Sequence, residues 1–285
     1  MEKFVIIADS TSDIPKELRD KYNIEIIPLC INIGEDIYKD GVELSTVELF
    51  DLAEKKKTLP KTSAIAPDEF IEVFKKHLNQ EKKVLFIGIG SGFSATLQNA
   101  HIAFGEFEKN VYIVDSEKLS IGTGFVVLKA CELREEGKSI DEIVKVLNEY
   151  KTRVRTYFAI STLEYLHKGG RCSGTARLFG AMLKITPIIR VALNKMEVAK
   201  KPRGRYEKAL DEMLVYFNED LKKNNVDLNK VVLIYPHPKA LNDVEYMKKE
   251  LHKLGVKDFI TTTAGCTIST HCGPRTIGLA YVVKQ

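Results

Sequence analysis

The 285-residue sequence contains few cysteines, and they form no recognisable framework. The five are scattered along the chain: Cys30, Cys131, Cys172, Cys266 and Cys272. An odd number without a CxxC pair excludes the even disulfide pattern of a small secreted domain. Cys266, His271 and Cys272 lack a fourth ligand at the spacing that zinc sites use, so no metal is expected. The expected location is the cytoplasm.

Long apolar runs are missing as well. No run approaches the roughly 18 residues that a membrane-spanning helix needs, so at most transient contact with a membrane is expected. The apolar segment from Phe4 to Ala8 is predicted to be a strand, because it is too short for the apolar region of a signal peptide. Repeats and low-complexity tracts are also absent, which is typical of an ordinary folded chain.

The composition that remains is that of a globular protein with unevenly distributed charge. Hydrophobic residues make up 44% and charged residues 29%, and at roughly 150 residues per domain the length predicts two domains or one large one. Residues 1–155 carry 22 Lys+Arg and 27 Asp+Glu, whereas residues 156–285 carry 21 and 12. The basic second half is a hint about what docks there, although solvated lysine-rich helices give the same count. No nucleic-acid partner is expected.

Strand and helix patterns alternate along the chain, which predicts an α/β fold. In the first half, short apolar runs alternate with segments whose apolar residues have helical spacing. The pattern changes near residues 152–156, and a hairpin with its turn near Asn194 and Lys195 is predicted beyond that point. We therefore predict two α/β domains, residues 1–155 with an open, mostly parallel sheet and residues 156–285 with a mixed sheet.

Polar segments follow three of the predicted strands and mark a candidate binding edge. They are residues 9–13, residues 88–96 and the pair Asp115 and Ser116. Ligands bind at the carboxyl ends of the strands in an open α/β sheet, so these segments should line one rim. The same residue types also cap helices, and that interpretation stays open.

The glycine-rich segment among these favours an anion site over a dinucleotide site. Its spacing, G-x-G-x-G from Gly88 to Gly92, differs from the G-x-G-x-x-G of dinucleotide-binding folds. Ser94 stands near the N-terminus of the following helix, where free backbone N–H groups and the helix dipole attract negative charge. A carboxylate or a phosphate would fit there.

Two further segments carry hydroxyl and imidazole groups. Thr62 and Ser63 present two hydroxyls just before a helix that Pro67 can start, and local capping would explain them equally well. His271 stands beside a Gly-Pro turn, so we expect it in a fixed loop.

An apolar stretch with basic residues before it stands out in the second half. Residues 178–189 are strongly apolar, and Lys168 and Arg171 flank a double glycine just ahead of them. Such a stretch is usually protein core. It could equally form the wall of an apolar ligand cavity whose mouth carries the two basic residues.

Six motifs in order along the chain resemble the DegV family. They are Asp9-Ser10-Thr11-Ser12-Asp13, Lys61-Thr62-Ser63, Ser91-Gly92-Phe93-Ser94-Ala95-Thr96, Val114-Asp115-Ser116, Leu163-Glu164-Tyr165-Leu166 with Lys168-Gly169-Gly170-Arg171, and His271-Cys272-Gly273-Pro274. Proteins of this family have two α/β domains with a fatty acid between them. In many bacteria they serve as the lipid-binding subunit of a fatty acid kinase.

The resemblance implies a long-chain fatty acid as ligand and the catalytic subunit of a fatty acid kinase as partner. The acyl chain would run into residues 156–285, and the kinase would phosphorylate the presented carboxylate to an acyl phosphate. The chain itself would be neither an enzyme nor dependent on a cofactor. The implied ligand-binding residues are Thr62, Ser63, Ser94, Ala95 through its backbone, and His271.

Basic residues of the second half are implied to face the partner: Lys168, Arg171, Arg203 and Arg205. Solvated basic loops are the alternative, above all for the last two. The sequence also departs from the usual pattern of the family at four positions: Gly90, Ala95, Thr186 and Arg275. Because Thr62, Ser94 and His271 are kept, the departures bear on chain preference and partner docking rather than on carboxylate binding.

A serine hydrolase acting on an acyl ester is the alternative function. Ser94 would be the nucleophile and His271 the base, with Asp9 or Asp115 orienting the histidine at the same rim. The segment 92–96 lacks the second glycine of a G-x-S-x-G nucleophile elbow, which weakens this alternative.

Overall fold

The computed structural model describes residues 3–105, 107, 109–171 and 185–284. The strands of these segments are β1 (Phe4–Asp9), β2 (Ile24–Ile27), β3 (Cys30–Ile33), β4 (Asp36–Lys39), β5 (Lys61–Ser63), β6 (Lys83–Gly88), β7 (Val111–Asp115), β8 (Val154–Ile160), β9 (Ile188–Ala192), β10 (Lys195–Lys200), β11 (Val226–Tyr235), β12 (Ile260–Thr263) and β13 (Thr276–Val283). The α-helices are α1 (Lys16–Tyr22), α2 (Thr46–Lys55), α3 (Pro67–Leu78), α4 (Thr96–Phe104), α5 (Ile121–Glu135), α6 (Ile140–Tyr150), α7 (Glu164–Lys168), α8 (Glu207–Lys222), α9 (Leu241–Lys253) and α10 (Cys266–Cys272).

The strands form three sheets. A parallel sheet has the order β2-β1-β6-β7, and a small antiparallel sheet has the order β4-β3-β5. The third sheet has six strands in the order β10-β9-β8-β13-β11-β12, of which β11 and β12 pair in parallel and the other neighbours antiparallel. The predicted α/β fold with one parallel and one mixed sheet is confirmed.

Local sequence signals set the starts of several helices. Pro67 occupies the first position of α3, where its missing N–H costs nothing. Glu69 accepts a hydrogen bond from the backbone N–H of Ala66 at 3.1 Å, which satisfies a donor that the helix leaves free. Ser45 and Glu48 form a reciprocal capping box at the start of α2. These boundaries therefore follow from residues close in sequence.

The parallel sheet lies between two layers of helices. Alternate residues of β1 point to opposite faces, as the strand geometry requires. Ile6 and Ala8 pack in the core with α5 and α6, while Val5 and Ile7 pack with α3 and α4. Both faces are covered, so the carboxyl ends of the strands are the part of this sheet that remains for a ligand.

The six-stranded sheet is covered differently on its two faces. Helices α8 and α9 pack on one face. On the other face, Phe158 of β8 and Ile189 of β9 pack with Ile89 and Phe93, which follow β6 of the parallel sheet. The segment that follows β6 of the parallel sheet therefore packs on this second face of the mixed sheet, and a cavity lies where they meet.

Two features differ from the expectations drawn from the sequence. The antiparallel sheet of β3, β4 and β5 is not predicted, because these strands span only three or four residues each. The fixed loop expected around His271 is wrong: His271 lies in the last turn of α10. The N-terminal backbone N–H groups of this short helix donate to Asp40, far away in the sequence, so no local signal announces it.

The division between residues 155 and 156 stays a prediction. Strand β8 begins at Val154, which shares a core cluster with Ile121 and Phe125 of the first half and Val232 of the second. Within the described residues, no helix is long and apolar enough to cross a membrane.

Candidate functional site

A largely apolar cavity lies between β5, the segments that follow β6 and β7, helix α10 and the inner face of the mixed sheet. About 840 Å³ of space in and in front of it is free of protein atoms, open solvent at its mouth included. Its apolar lining includes Leu29, Ile89, Phe93, Leu119, Phe158, Leu166, Met196, Ile234 and Ile268. The polar groups that line it include Thr62, Ser94, Ser120, Thr156, Arg171, Thr267, His271 and Thr276.

Three of the predicted ligand-binding residues meet at this cavity. Thr62 comes from β5, Ser94 from the turn before α4, and His271 from the end of α10. Thr62 Oγ1 and His271 Nε2 share a hydrogen bond of 2.9 Å. Ser94 Oγ lies 2.9 Å from Thr96 Oγ1 and accepts the backbone N–H of Thr96 at 3.2 Å. Hydroxyl and imidazole groups are thus presented to a largely apolar space.

His271 is held as a neutral imidazole at this site. Burial, with a smaller contribution from the charge of Arg171, lowers the pKa of His271 from 6.5 to about 4. Its Nδ1 atom is buried and has no hydrogen-bond partner within the described segments. Gly169, at the end of α7, packs against the ring, and a Cβ at this position would lie 2.2 Å from Nδ1. The ring is therefore fixed from both sides.

Arg171 lines the same end of the cavity. Its Nη1 donates to the carbonyl oxygen of Gly169 at 2.8 Å, and its Nε donates to that of Phe93 at 3.3 Å. The side chain therefore connects the end of α7 with the loop after β6. Both of these bonds are to uncharged carbonyl oxygens, and the positive charge of Arg171 lies close enough to His271 to lower its pKa.

Ser63 and Ala95 lie outside the cavity lining. Neighbouring residues of a strand point to opposite faces, so Ser63 turns away where Thr62 turns in. Ser63 is exposed, and its Oγ accepts a hydrogen bond from Asn32 Nδ2 at 2.8 Å. Ala95 is exposed at the N-cap position of α4. Their roles as ligand-binding residues stay predictions.

The remaining basic residues predicted to face a partner are on the surface. Lys168, Arg203 and Arg205 are exposed, and Lys168 forms an ion pair of 2.9 Å with Glu164. Most of the apolar stretch 178–189, predicted to wall the cavity, lies outside the described residues, which resume at 185.

Two of the departures from the family pattern have structural explanations. Gly90 lets the β9–β10 hairpin approach closely, because a Cβ there would lie 2.5 Å from Asn194 Oδ1. Arg275 makes two hydrogen bonds, of 2.8 and 3.0 Å, to the carboxylate of Asp243 and covers the ring of Tyr206. Its contacts are therefore within the second half of the chain. Nothing in the structure explains the threonine at 186.

The residues of the predicted hydrolase triad do not make the hydrogen bonds of a triad. Within the described residues, Ser94 is bonded to Thr96 and His271 to Thr62. Asp9 accepts from the backbone N–H of Ile89, and Asp115 accepts from Ser91, Glu117 and Asn194. The described contacts therefore connect neither aspartate to His271, nor His271 to Ser94.

No group of three or more histidine, cysteine, aspartate or glutamate side chains that could hold a metal ion occurs among the described residues.

Comparison with known proteins assigns the chain to a family. The sequence model described as "Uncharacterised protein, DegV family" matches residues 3–284. The chain belongs to the DegV family. A DegV domain-containing protein from Caldanaerobacter subterraneus is 36% identical over 288 residues, which cover 100% of both chains.

Solved structures of DegV proteins share the fold. A DegV family protein from Thermus thermophilus, described for its fatty acid binding, superposes with a TM-score of 0.90 at 29% identity, covering 99% of this chain and 100% of that chain. DegV from Bacillus subtilis, described as a fatty acid binding protein, gives a TM-score of 0.87 at 28% identity and covers 100% of both chains.

Two buried aspartates, Asp13 and Asp40, hold helix α10 and the segment before it in place in this DegV protein. The sequence analysis did not assign either residue to the site. Asp40 accepts the backbone N–H groups of Cys266 and Thr267 at 2.7 and 3.1 Å, and so fixes the start of α10. Asp13 accepts from Ser120 Oγ at 2.6 Å and from the backbone N–H of Gly265 at 2.7 Å. Asp13 stands in a motif that resembles the family, whereas no sequence signal marks Asp40.

Asp13 should make this DegV protein less stable as the pH rises. Burial, and to a lesser degree repulsion by Asp40 and Asp9, raises the pKa of Asp13 from 3.8 to about 8. Between these values the folded chain keeps a proton that the unfolded chain has lost, so the free energy of unfolding falls by up to about 1.4 kcal/mol per pH unit. His271 acts in the opposite direction, but only below its unfolded pKa of 6.5. Urea denaturation between pH 6.5 and 8 should show the decline.

Asp13→Asn should flatten this decline, because the amide does not titrate. Asp258→Asn, which replaces an exposed aspartate, is the matched control and should keep the wild-type slope. An unchanged slope in Asp13→Asn would show that Asp13 is ionised in the folded protein across this pH range.

Proposed function

We propose that this protein binds one long-chain fatty acid, with the carboxylate at Thr62, Ser94 and His271 and the acyl chain in the apolar cavity. The observation that carries the proposal is the hydroxyl and imidazole cluster of Thr62, Ser94 and His271 in the lining of a largely apolar cavity. The fatty acid binding described for the DegV proteins from T. thermophilus and B. subtilis supports it.

The cluster has the chemistry that a buried carboxylate needs. A carboxylate accepts hydrogen bonds only, and leaving it unsatisfied in an apolar site costs several kcal/mol. With its proton on Nε2, His271 donates to Thr62 Oγ1, and the Thr62 hydroxyl is then free to donate to the carboxylate. Ser94 supplies a second hydroxyl, and Arg171 adds positive charge at the same end.

The apolar lining provides most of the binding energy in this proposal. Burial of an acyl chain contributes up to about 0.8 kcal/mol per methylene before the costs of association are subtracted. A chain of sixteen or eighteen carbons is therefore expected to bind more tightly than a short acid, because it buries more methylenes. In this proposal, the number of buried methylenes determines which fatty acid binds most tightly, and the residues around the carboxylate determine how the ligand is oriented.

We further propose that a partner kinase phosphorylates the carboxylate of the bound fatty acid. A carboxylate oxygen would attack the γ-phosphorus of ATP held by the kinase, the bond to the ADP oxygen would break, and ADP would leave. The acyl phosphate would remain in the cavity. This chain would then serve in the cytoplasm as a non-catalytic carrier, with residues 1–155 and 156–285 as domains on either side of the ligand.

Native mass spectrometry of the purified chain tests the binding proposal. We expect one fatty acid per chain, and after delipidation an uptake of one equivalent of stearic or oleic acid. Butyric acid at the same concentration should not be retained, because its chain buries too few methylenes. Only the bare chain mass, without uptake of the long acids, would contradict the proposal.

A further inference from the structure

A glycine lies in the floor of the cavity between two large apolar side chains. Gly278 of β13 is paired with Phe158 of β8 on one side and with Ile234 of β11 on the other. Directly paired residues of antiparallel strands share one face of the sheet, and all three residues line the cavity. The floor of the cavity therefore lacks a side chain at Gly278 and is bordered there by Phe158 and Ile234.

The side chain of Ile234 leans over this glycine. A Cβ at Gly278 would lie 2.5 Å from Ile234 Cγ2, which is closer than such atoms approach each other in proteins. The missing side chain at 278 therefore makes room for Ile234, which extends across the floor toward Phe158. A methyl group of the protein thus fills space over Gly278 at the edge of the cavity.

Core packing encloses the cavity at this level. Ile234 packs with Ile121 and Phe125 in one core cluster, and Phe158 belongs to a second cluster. Ile268 of α10 also lines the cavity and packs against both clusters, so it spans the gap between them. The space over the glycine can therefore grow only if one of these apolar side chains becomes smaller.

Gly278 and Ile234 lie beyond the residues that would hold the carboxylate. Thr276 Oγ1 donates at 2.8 Å to the carbonyl oxygen of Cys272, the residue after His271, so the start of β13 lies beside the end of α10. Gly278 is two residues further along this strand, which corresponds to about 7 Å. An acyl chain whose carboxylate is bound at His271 therefore presents methylenes to Gly278 and Ile234.

We propose that Ile234 limits the length of the acyl chain that the cavity holds. This inference rests on the proposed fatty-acid binding and names a residue that selects the chain length. Each buried methylene adds to the affinity until the cavity is full, and further carbons must then stay in water or displace packed side chains. Alanine at this position would remove three carbon atoms from the lining and leave room over Gly278 for about as many carbons of a longer chain.

The test measures the dissociation constants of saturated fatty acids of twelve to twenty-two carbons by displacement of a fluorescent fatty acid. The wild-type protein should have an optimum chain length, and Ile234→Ala should increase this optimum by about two carbons. The affinity for the acid two carbons longer than the wild-type optimum, relative to the optimum acid, should rise about tenfold, because two more methylenes are buried. Ile234→Val removes one carbon atom and disturbs folding less, and it should raise the same ratio about threefold.

Ile277→Ala is the matched control. Ile277 precedes Gly278 in β13, but it packs in the core on the opposite face of the sheet and does not line the cavity. This variant also loses a buried isoleucine, so its melting temperature should fall while the affinity ratio stays at the wild-type value.

An unchanged ratio in both Ile234 variants, or an equal change in Ile277→Ala, would overturn the proposal. Failure of the proposed function gives a different result, because the wild-type protein would then bind none of the acids.

Discussion

A chain that carries both Thr62→Val and Ser94→Ala should bind a long-chain fatty acid at least a hundredfold more weakly than the wild-type protein. Each substitution removes one hydroxyl from the polar end of the cavity, and a hydrogen bond to a charged group is worth roughly 1.5–3 kcal/mol, or about ten- to a hundredfold in affinity. Thr62→Val also removes the partner of His271 Nε2. The apolar lining, His271 and Arg171 are unchanged, so the remaining affinity measures the acyl chain together with these two residues.

Thr152→Ala is the matched control for this double variant. It removes an exposed hydroxyl outside the cavity lining that is hydrogen-bonded to the carbonyl oxygen of Glu149, so the affinity should stay at the wild-type value. Displacement of a fluorescent fatty acid measures all variants, and their melting temperatures check folding. If the double variant binds as tightly as the wild type, the carboxylate lies elsewhere.

Removing the exposed arginines, Arg203→Ala with Arg205→Ala, should lower acyl phosphate formation with an added fatty acid kinase at least tenfold while the affinity for the fatty acid stays unchanged. Both side chains are exposed and do not line the cavity, and arginines suit contacts with carboxylates or phosphates of a partner. Added salt should weaken the coupling in the wild type, because exposed charges are screened.

Lys257→Ala, which removes another exposed positive charge of the second half, should leave the rate unchanged. A wild-type rate in the double arginine variant would mean that the partner docks on another surface.

Arg171→Ala distinguishes a role in lipid binding from a role in partner docking for that residue. Because Arg171 lines the cavity beside His271, we expect this variant to weaken lipid binding as well as phosphorylation. A wild-type lipid affinity would instead support the partner-facing role that the family resemblance implies.

Local patterns predicted most of the fold. The apolar run from Phe4 to Ala8 located β1, and α3 begins at Pro67, the residue expected to start a helix. The elements that were missed are short. Strand β5 and helix α10 depend on partners elsewhere in the chain, and both of them carry site residues.

The sequence by itself determined the α/β class, the starts of helices such as α2 and α3, and the family, because each depends on neighbouring residues or on motifs that occur in order. Only the tertiary structure decided which side chains form the site. Thr62 and His271 are 209 residues apart yet share a hydrogen bond, and Asp40 holds the start of α10 from 226 residues away. Strand geometry turned Thr62 into the cavity and Ser63 out of it. Contacts of this range depend on how sheets and helices pack, which local propensity does not encode.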